Sequence, residues 1–327
     1  MRVERRRLTP LVRAYLVERL LAVALTLFGV SLLVFGMVRL IPGTVVEQLL
    51  GQASIGSPEV VASFRRFFGL DQPVHVQYLA WLGGVLRGDL GVSWLSGKPV
   101  LRLFLERLPV SSELAVLSIG WSLLLGVPLG TASAVWRGGA RDGAIRVAAT
   151  LGLSLPAFWQ GTVLILLFSI YLGWMPSLQW VPLTRNPGAN LAIMSLPALT
   201  LGTASAAMIT RMARSSMLDV LGREFVRTAR GKGVRESRVY FHHALRNALI
   251  PVVTVAGVQL GYIVGGIVVV EDVFTLPGVG RLLLDAIFQR DYPVVQGVIL
   301  LLAAAFMALN LLVDLLYAVL DPRLRIG

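Results

Sequence analysis

The chain has 327 residues, 56% of them hydrophobic and 15% charged, with a net charge of +12 and no cysteine. Soluble domains carry about one-quarter charged residues, so this composition excludes an ordinary soluble protein and points to an integral membrane protein. The missing cysteines exclude disulfides and thiolate metal sites, and the basic excess, in which only Lys98 and Lys232 are lysines, calls for a topological or electrostatic explanation.

A helix that crosses about 30 Å of hydrocarbon needs about 20 apolar residues. The first apolar run, 16–38, follows a basic start that looks like a signal peptide. Its core at 20–38 is too long for that role and has no small-x-small cleavage pattern, so it reads as a retained span. Further runs lie at 110–136, 147–172, 191–212, 248–270 and 294–320. Pro128, Pro156 and Pro197 are expected to mark kinks or local breaks. The expected fold class is an all-α integral membrane protein with six transmembrane helices and a small helical extracytoplasmic insertion after the first span. Residues 1–40 form the cytoplasmic start and first span, 41–109 the insertion, 110–320 a five-span core, and 321–327 a cytoplasmic tail.

Within the insertion, SPEVVASFRRFFGLDQP predicts a short helix, with Ser57 as N-cap, Pro58 in the first turn and Gly69 as C-cap. The next stretch, PVHVQYLAWLGGVLRGDLG, sets Tyr78 and Trp81 beside Leu79, Leu82 and Leu86. That mixture suits a helix lying at a membrane interface.

Orientation follows from the basic residues of the connections. With the N-terminus inside, the inner segments hold 6, 3, 9 and 2 Arg/Lys, or 20, and the outer ones 7, 1 and 2, or 10. Acidic residues divide 7 inside and 10 outside, Glu113 at the start of the second run counted with the outside, leaving Asp314 in the last span. Both termini are therefore expected in the cytoplasm. Asp314 is the one ionisable residue expected deep within a span, and Asn310 shares its helical face. A hydrogen-bonded packing pair and a proton relay are both open readings of these two residues. In the fifth span Gly257, Gly261 and Gly265 recur every four residues, a ridge that lets another helix approach closely; Gly126 and Gly130 form a weaker version. There is no phosphate-binding GxxxxGK[ST] loop, and adjacent His242 and His243 point about 100° apart on a helix, a poor arrangement for one metal.

The inner loop 211–247 carries a charge of 9 − 3 = +6 and an apolar period as well. Met217, Leu218, Leu221, Phe225 and Ala229 predict one amphipathic helix, Gly231-Lys232-Gly233 breaks it, and Val239, Tyr240, Ala244, Leu245, Ala248 and Leu249 predict a second. Such a loop could touch lipid headgroups, bind nucleic acid or dock a cytoplasmic partner. Ordered amphipathic helices around a turn favour docking, and the absence of interleaved aromatics argues against nucleic acid.

At these residues the chain resembles the permease subunits of bacterial ABC importers, in the dipeptide/oligopeptide/nickel branch. The likeness rests on TARGKG at 228–233 followed by HALRNALIP at 243–251. In order along the chain it includes LIPG at 40–43, GLDQP at 69–73, SLPAFW at 154–159, RSSMLDVL at 214–221, RDYPVVQG at 290–297 and DPR at 321–323. Two departures stand out. Arg227-Thr228-Ala229 keeps only the last residue of the general family's Glu-Ala-Ala, and Gly231 stands where the branch commonly has Ala. The resemblance implies a type I importer permease fold in the cytoplasmic (inner) membrane of a bacterium or archaeon. It implies a homologous second permease subunit, two cytoplasmic ATPases that bind ATP and Mg, and an extracytoplasmic binding protein. It implies a non-catalytic transport subunit with no cofactor of its own, and coupling to the ATPase through Glu224, Phe225, Arg227, Thr228, Ala229, Arg230, Gly231, Lys232, Gly233 and Val234. Short peptides are the expected cargo, with nickel chelates and glutathione as branch alternatives; an ATPase-independent secondary carrier is the competing class. Glu271, Asp272, Arg281, Arg290 and Asp291 in the last outer connection are candidates for an outer gate or binding-protein contact, or else belong to a solvated connection.

Overall fold

Apolar runs separated by Gly, Pro and charge clusters fold almost entirely into helices. A computed structural model describes residues 5–40, 71–174 and 179–320. Its helices are α1 (Arg5–Leu40), α2 (Val74–Leu86), α3 (Val100–Val135), α4 (Ala140–Ser154), α5 (Ala157–Tyr171), α6 (Pro187–Leu221), α7 (Glu224–Gly231), α8 (Glu236–Val273), α9 (Val279–Phe288) and α10 (Tyr292–Leu320). The helix anticipated around Ser57–Gly69 and the DPR string lie outside the described residues. Among those residues the only β pairing is an isolated antiparallel bridge between Val92 and Pro99.

Among the described residues, five helices are long and apolar enough to cross a membrane, and the count reaches six if α4 and α5 together form one span. The third expected span is thus not a straight rod: α4 and α5 meet at 108°. Pro156 is the reason. It has no N–H to donate and forces its predecessor out of the helical region, and Leu155 is extended at φ −86°, ψ 128°. Pro128 and Pro197, by contrast, lie inside α3 and α6, which continue through them. The helices also outrun the apolar stretches. α3 takes in Glu113 and α8 takes in Glu271, so Asp314 is not the only carboxylate within a long apolar helix. Asp314 itself is half-buried and partnered.

The chain divides into two compact units. The first holds α1, α2, the residues up to Glu106 and Leu282–Met307. Within it, the aromatic face of α2 is occupied by α1. Tyr78 is buried, its hydroxyl lies 2.8 Å from Ser31 Oγ, and the Phe35 ring sits 5.1 Å from that of Tyr78 and 5.7 Å from that of Trp81. The aromatics expected to face an interface therefore pack against a helix, while Leu79 and Leu86 stay exposed.

The second unit spans Arg107–Arg281 and takes in α10 from Ala308. One core joins Val110 and Leu114 of α3, Ile193, Met194, Ala198 and Leu201 of α6, and Ile263, Ile267 and Val270 of α8. A second joins Ile209 and Ala213 of α6 to Val252 and Ala256 of α8. Between membrane helices such contacts gain from close packing rather than from removal of apolar surface from water, because lipid is equally apolar. α6 starts cleanly: Pro187 occupies its first turn, and the Asn186 side chain accepts the Ala189 N–H at 3.1 Å.

Candidate coupling site

The segment between α6 and α8 follows from two backbone breaks. α6 ends at Leu221, and Gly222 and an extended Arg223 (φ −78°, ψ 150°) turn the chain into α7. The single amphipathic helix expected through Gly222 is therefore two helices. After α7, Gly233 adopts φ +76°, a conformation that costs glycine nothing, and its N–H bonds back to the Arg230 carbonyl at 2.9 Å. α8 then begins, with a π-helical stretch over Val239–Ala244.

The apolar side of α7 is Val226 and Ala229. They pack with Ala134, Met217, Val220, Val239, Ala244 and Ala248, while Leu218, Leu221, Val234 and Leu245 close the cluster. Burying a side chain such as Val226 is worth about 1.5–3 kcal/mol against water, enough to hold a helix of only 8 residues in place. Phe225 is not part of this face. It is 41% exposed, one position out of register with the spacing that nominated it. Glu224, Arg227, Thr228, Arg230, Gly231, Lys232 and Gly233 are exposed as well, and Val234 is half-buried. Arg227 donates to Glu224 at 2.9 Å, a solvent-facing pair of little energetic weight. Arg230 donates twice to Glu236, at 2.8 and 3.2 Å, and so bridges the glycine turn; the bond raises the Arg230 guanidinium above its ordinary value.

The five outer candidates separate by burial. Glu271 is fully buried and holds main chain. Ser111 Oγ donates to it at 2.5 Å, Arg281 N–H donates at 3.1 Å, Gly280 N–H also bonds it, and Ser111 Oγ in turn accepts Val279 N–H at 2.8 Å. The carboxylate thus sits on the N-terminus of α9, where the helix dipole favours negative charge. Gly278 is glycine for this reason, since a Cβ there would fall onto the Glu271 carboxylate. Arg281 is half-buried and donates to the Thr275 carbonyl at 2.6 Å, while Asp272 is exposed. In the first unit, Asp291 is 4% exposed and accepts from Ser93 Oγ at 2.5 Å and Trp94 N–H at 3.2 Å, which fixes the turn at 93–98. Arg290 beside it is half-buried with φ 55°.

A fourth acidic residue was not singled out by its sequence context. Asp142, near the start of α4, is 1% exposed and accepts four hydrogen bonds: from Ser133 Oγ (2.6 Å), Gly138 N–H (3.1 Å), Arg214 Nε (2.9 Å) and Arg214 Nη2 (3.0 Å). The sole sequence signal was one acid in an inner connection with three arginines, Arg137, Arg141 and Arg146.

With this geometry in place, comparison with known proteins settles the family. Residues 126–326 match the "Binding-protein-dependent transport system inner membrane component" family, and residues 12–115 match the N-terminal region of a membrane component of the same systems. The chain belongs to that family. The glutathione transport system permease protein GsiC of Pectobacterium atrosepticum is 44% identical over 312 residues, covering 95% of this chain and 98% of that protein. GsiC of Salmonella choleraesuis is 43% identical over the same coverage. The dipeptide transport system permease protein DppB of Escherichia coli K12 is 42% identical over 334 residues, with 95% and 98% covered. The chain is accordingly an ABC importer permease, a multi-pass membrane protein whose work is transport.

In this permease several close helix approaches run along α3 and α6. A Cβ on Gly126 would lie 2.6 Å from Ile209 Cγ2, one on Gly130 2.5 Å from the Thr210 carbonyl, and one on Gly202 2.7 Å from the Ser118 carbonyl. Along α8, Gly261 is buried, Gly257 half-buried and Gly265 exposed with open space around it; a Cβ on Gly266, one residue on, would lie 2.9 Å from Leu201 Cδ1 of α6.

Proposed function

We propose that the chain is one of two permease subunits of an ATP-driven importer for short peptides, including tripeptides of the glutathione kind. The observation that carries this reading is α7. It is fastened to its own unit through Val226 and Ala229 and, with Lys232 at its C-terminal end, turns outward a mixed face of Glu224, Phe225 and Arg227. An exposed phenylalanine amid paired charges on a short, internally anchored helix suits a groove on a protein, with the aromatic as anchor. The relatives named for glutathione and dipeptide transport support the cargo. ATP and Mg are bound and used by partner ATPases, a binding protein delivers the peptide outside, and both termini lie in the cytoplasm. ATP closure displaces α7, and α6 and α8, joined to it at either end, rock the spans between inward- and outward-facing states.

The test uses the assembled importer in proteoliposomes, with uptake of radiolabelled alanyl-alanine and of glutathione measured beside ATP hydrolysis. Gly231→Trp and Gly233→Trp should separate hydrolysis from uptake while the protein still inserts. A cysteine replacing Phe225 should cross-link to the ATPase. Uptake driven by a proton gradient without ATP, or tryptophan variants with wild-type uptake and hydrolysis, would overturn the reading.

A further inference from the structure

We infer that Asp142 is a positioning residue for energy coupling: with Arg214 it locks the inner ends of α3, α4 and α6 into one block that moves with α7. The inference rests on the coupling role proposed for α7. Its own support is geometric. A carboxylate offers about four acceptor positions, and all of Asp142's are filled from three different parts of the chain. Ser133 comes from the end of α3, Gly138 from the turn before α4, and Arg214 from α6. Arg146, an exposed neighbour at 3.5 Å, lies at the edge of the cluster.

The two-pronged contact between Arg214 and Asp142 fixes orientation as well as distance, because the guanidinium plane and the carboxylate plane must align. Van der Waals contact locks the same level of the helix pair. A Cβ on Gly130 would meet Ala213 Cβ at 2.6 Å and Arg214 N at 3.0 Å, so α3 has no room to slide over α6 there. One turn on, Ser216 Oγ donates to the Ala248 carbonyl at 2.9 Å and ties α6 to α8. Only Gly222 and Arg223 then separate α6 from α7. A push on α7 therefore arrives at a joint in which side chains set the angle between helices. A buried ion pair is weak as a source of stability, since well-packed apolar groups do as well or better. As a device that sets angle and register it has no apolar substitute.

The experiment compares Asp142→Asn, Arg214→Lys and the exchange Asp142→Arg/Arg214→Asp in the assembled importer. Alanyl-alanine uptake and substrate-stimulated ATP hydrolysis are recorded on the same proteoliposomes. The lock predicts a rise of several-fold in ATP hydrolysed per peptide moved for Asp142→Asn. It predicts a smaller rise for Arg214→Lys, which keeps the charge but loses the fork, and partial return of the ratio in the exchange. Cross-linking of the Phe225→Cys variant to the ATPase should stay at its reference level throughout. Should a variant fail to insert, Ser133→Ala, which removes one of the four donors, reads the same ratio. Uptake and hydrolysis falling in equal proportion, or a ratio unchanged in every variant that inserts, would overturn the lock. Absence of the Phe225 cross-link in the otherwise unaltered importer would instead sink the docking reading beneath it, so the two failures are told apart.

Discussion

Two buried carboxylates fasten opposite ends of α3, and they use different chemistry. Near one end Ser111 donates to Glu271; near the other Ser133 donates to Asp142. The serines are 22 positions apart, or about 33 Å along a helix at 1.5 Å per residue. Asp142 is answered by a guanidinium, which joins a side chain on one helix to a side chain on another. Glu271 is answered by a hydroxyl and by the main-chain N–H groups that open α9, with Arg107 acting only through space. A charged fork sets the angle between two helices, whereas a carboxylate on backbone N–H groups sets the path of a loop. One chain thus fixes an angle between helices at one end and shapes a connection at the other, each with a single acid.

That contrast can be broken most forcefully at Glu271. Replacing Glu271 by Leu removes the acceptor for Ser111, Gly280 and Arg281 together. At about 1–3 kcal/mol for each buried donor left unpaired, the thermal midpoint of the purified permease should fall by roughly 10 °C or more. Glu271→Gln keeps one acceptor oxygen and should lose about half as much. If Glu271→Leu melts within about 2 °C of the parent, the carboxylate is not what holds the loop.

A smaller effect is expected from Gly278→Ala, whose new Cβ would land on the Glu271 carboxylate. Overpacking of this kind costs about 1–3 kcal/mol. Because the clash and the carboxylate are one site, the double variant Gly278→Ala/Glu271→Ala should cost clearly less than the sum of its parts, with a coupling of about 0.5–3 kcal/mol in thermal or denaturant melts. Strict additivity would show that Gly278 is glycine for some other reason.

Sequence patterns revealed the helical class and most of the spans because an apolar run of membrane length buries well only as a helix in lipid. They also exposed the weak point at Pro156, whose chemistry is local. The roles of the acids were hidden. Glu271 stands beside Asp272 and upstream of Arg281, so the stretch reads as a charged connection, yet its main partner Ser111 is 160 residues away. Asp291 answers Ser93, 198 residues away, and Asp142 answers Arg214, 72 residues away. No periodicity within one helix reports such pairs. The segment between α6 and α8 was legible as helix, glycine turn and helix, but its register was not. The break at Gly222 rotates α7 so that Val226 rather than Phe225 faces inward, and only the packed cluster around Met217 and Val239 decides that.

The smallest expected effects lie at the glycine turn after α7, where neither carboxylate reaches. A Cβ on Gly231 or Gly233 meets nothing within 4 Å, but the two glycines differ in backbone. Gly231 closes α7 in an ordinary helical conformation, whereas Gly233 sits at φ +76°. Gly231→Ala should leave stability unchanged or raise it by up to about 1 kcal/mol, the helix-propensity difference between the two residues. Gly233→Ala should cost about 1 kcal/mol, the penalty of a left-handed conformation for a residue with a Cβ. Both alanine variants should retain uptake, because neither adds bulk beyond a methyl group. Set beside tryptophan at the same positions, they separate strain inside the permease from obstruction of what α7 touches. Loss of uptake in Gly231→Ala itself, in a protein that melts normally, would mean that the surface seated on this turn tolerates not even one carbon, and so lies in direct contact with the glycine.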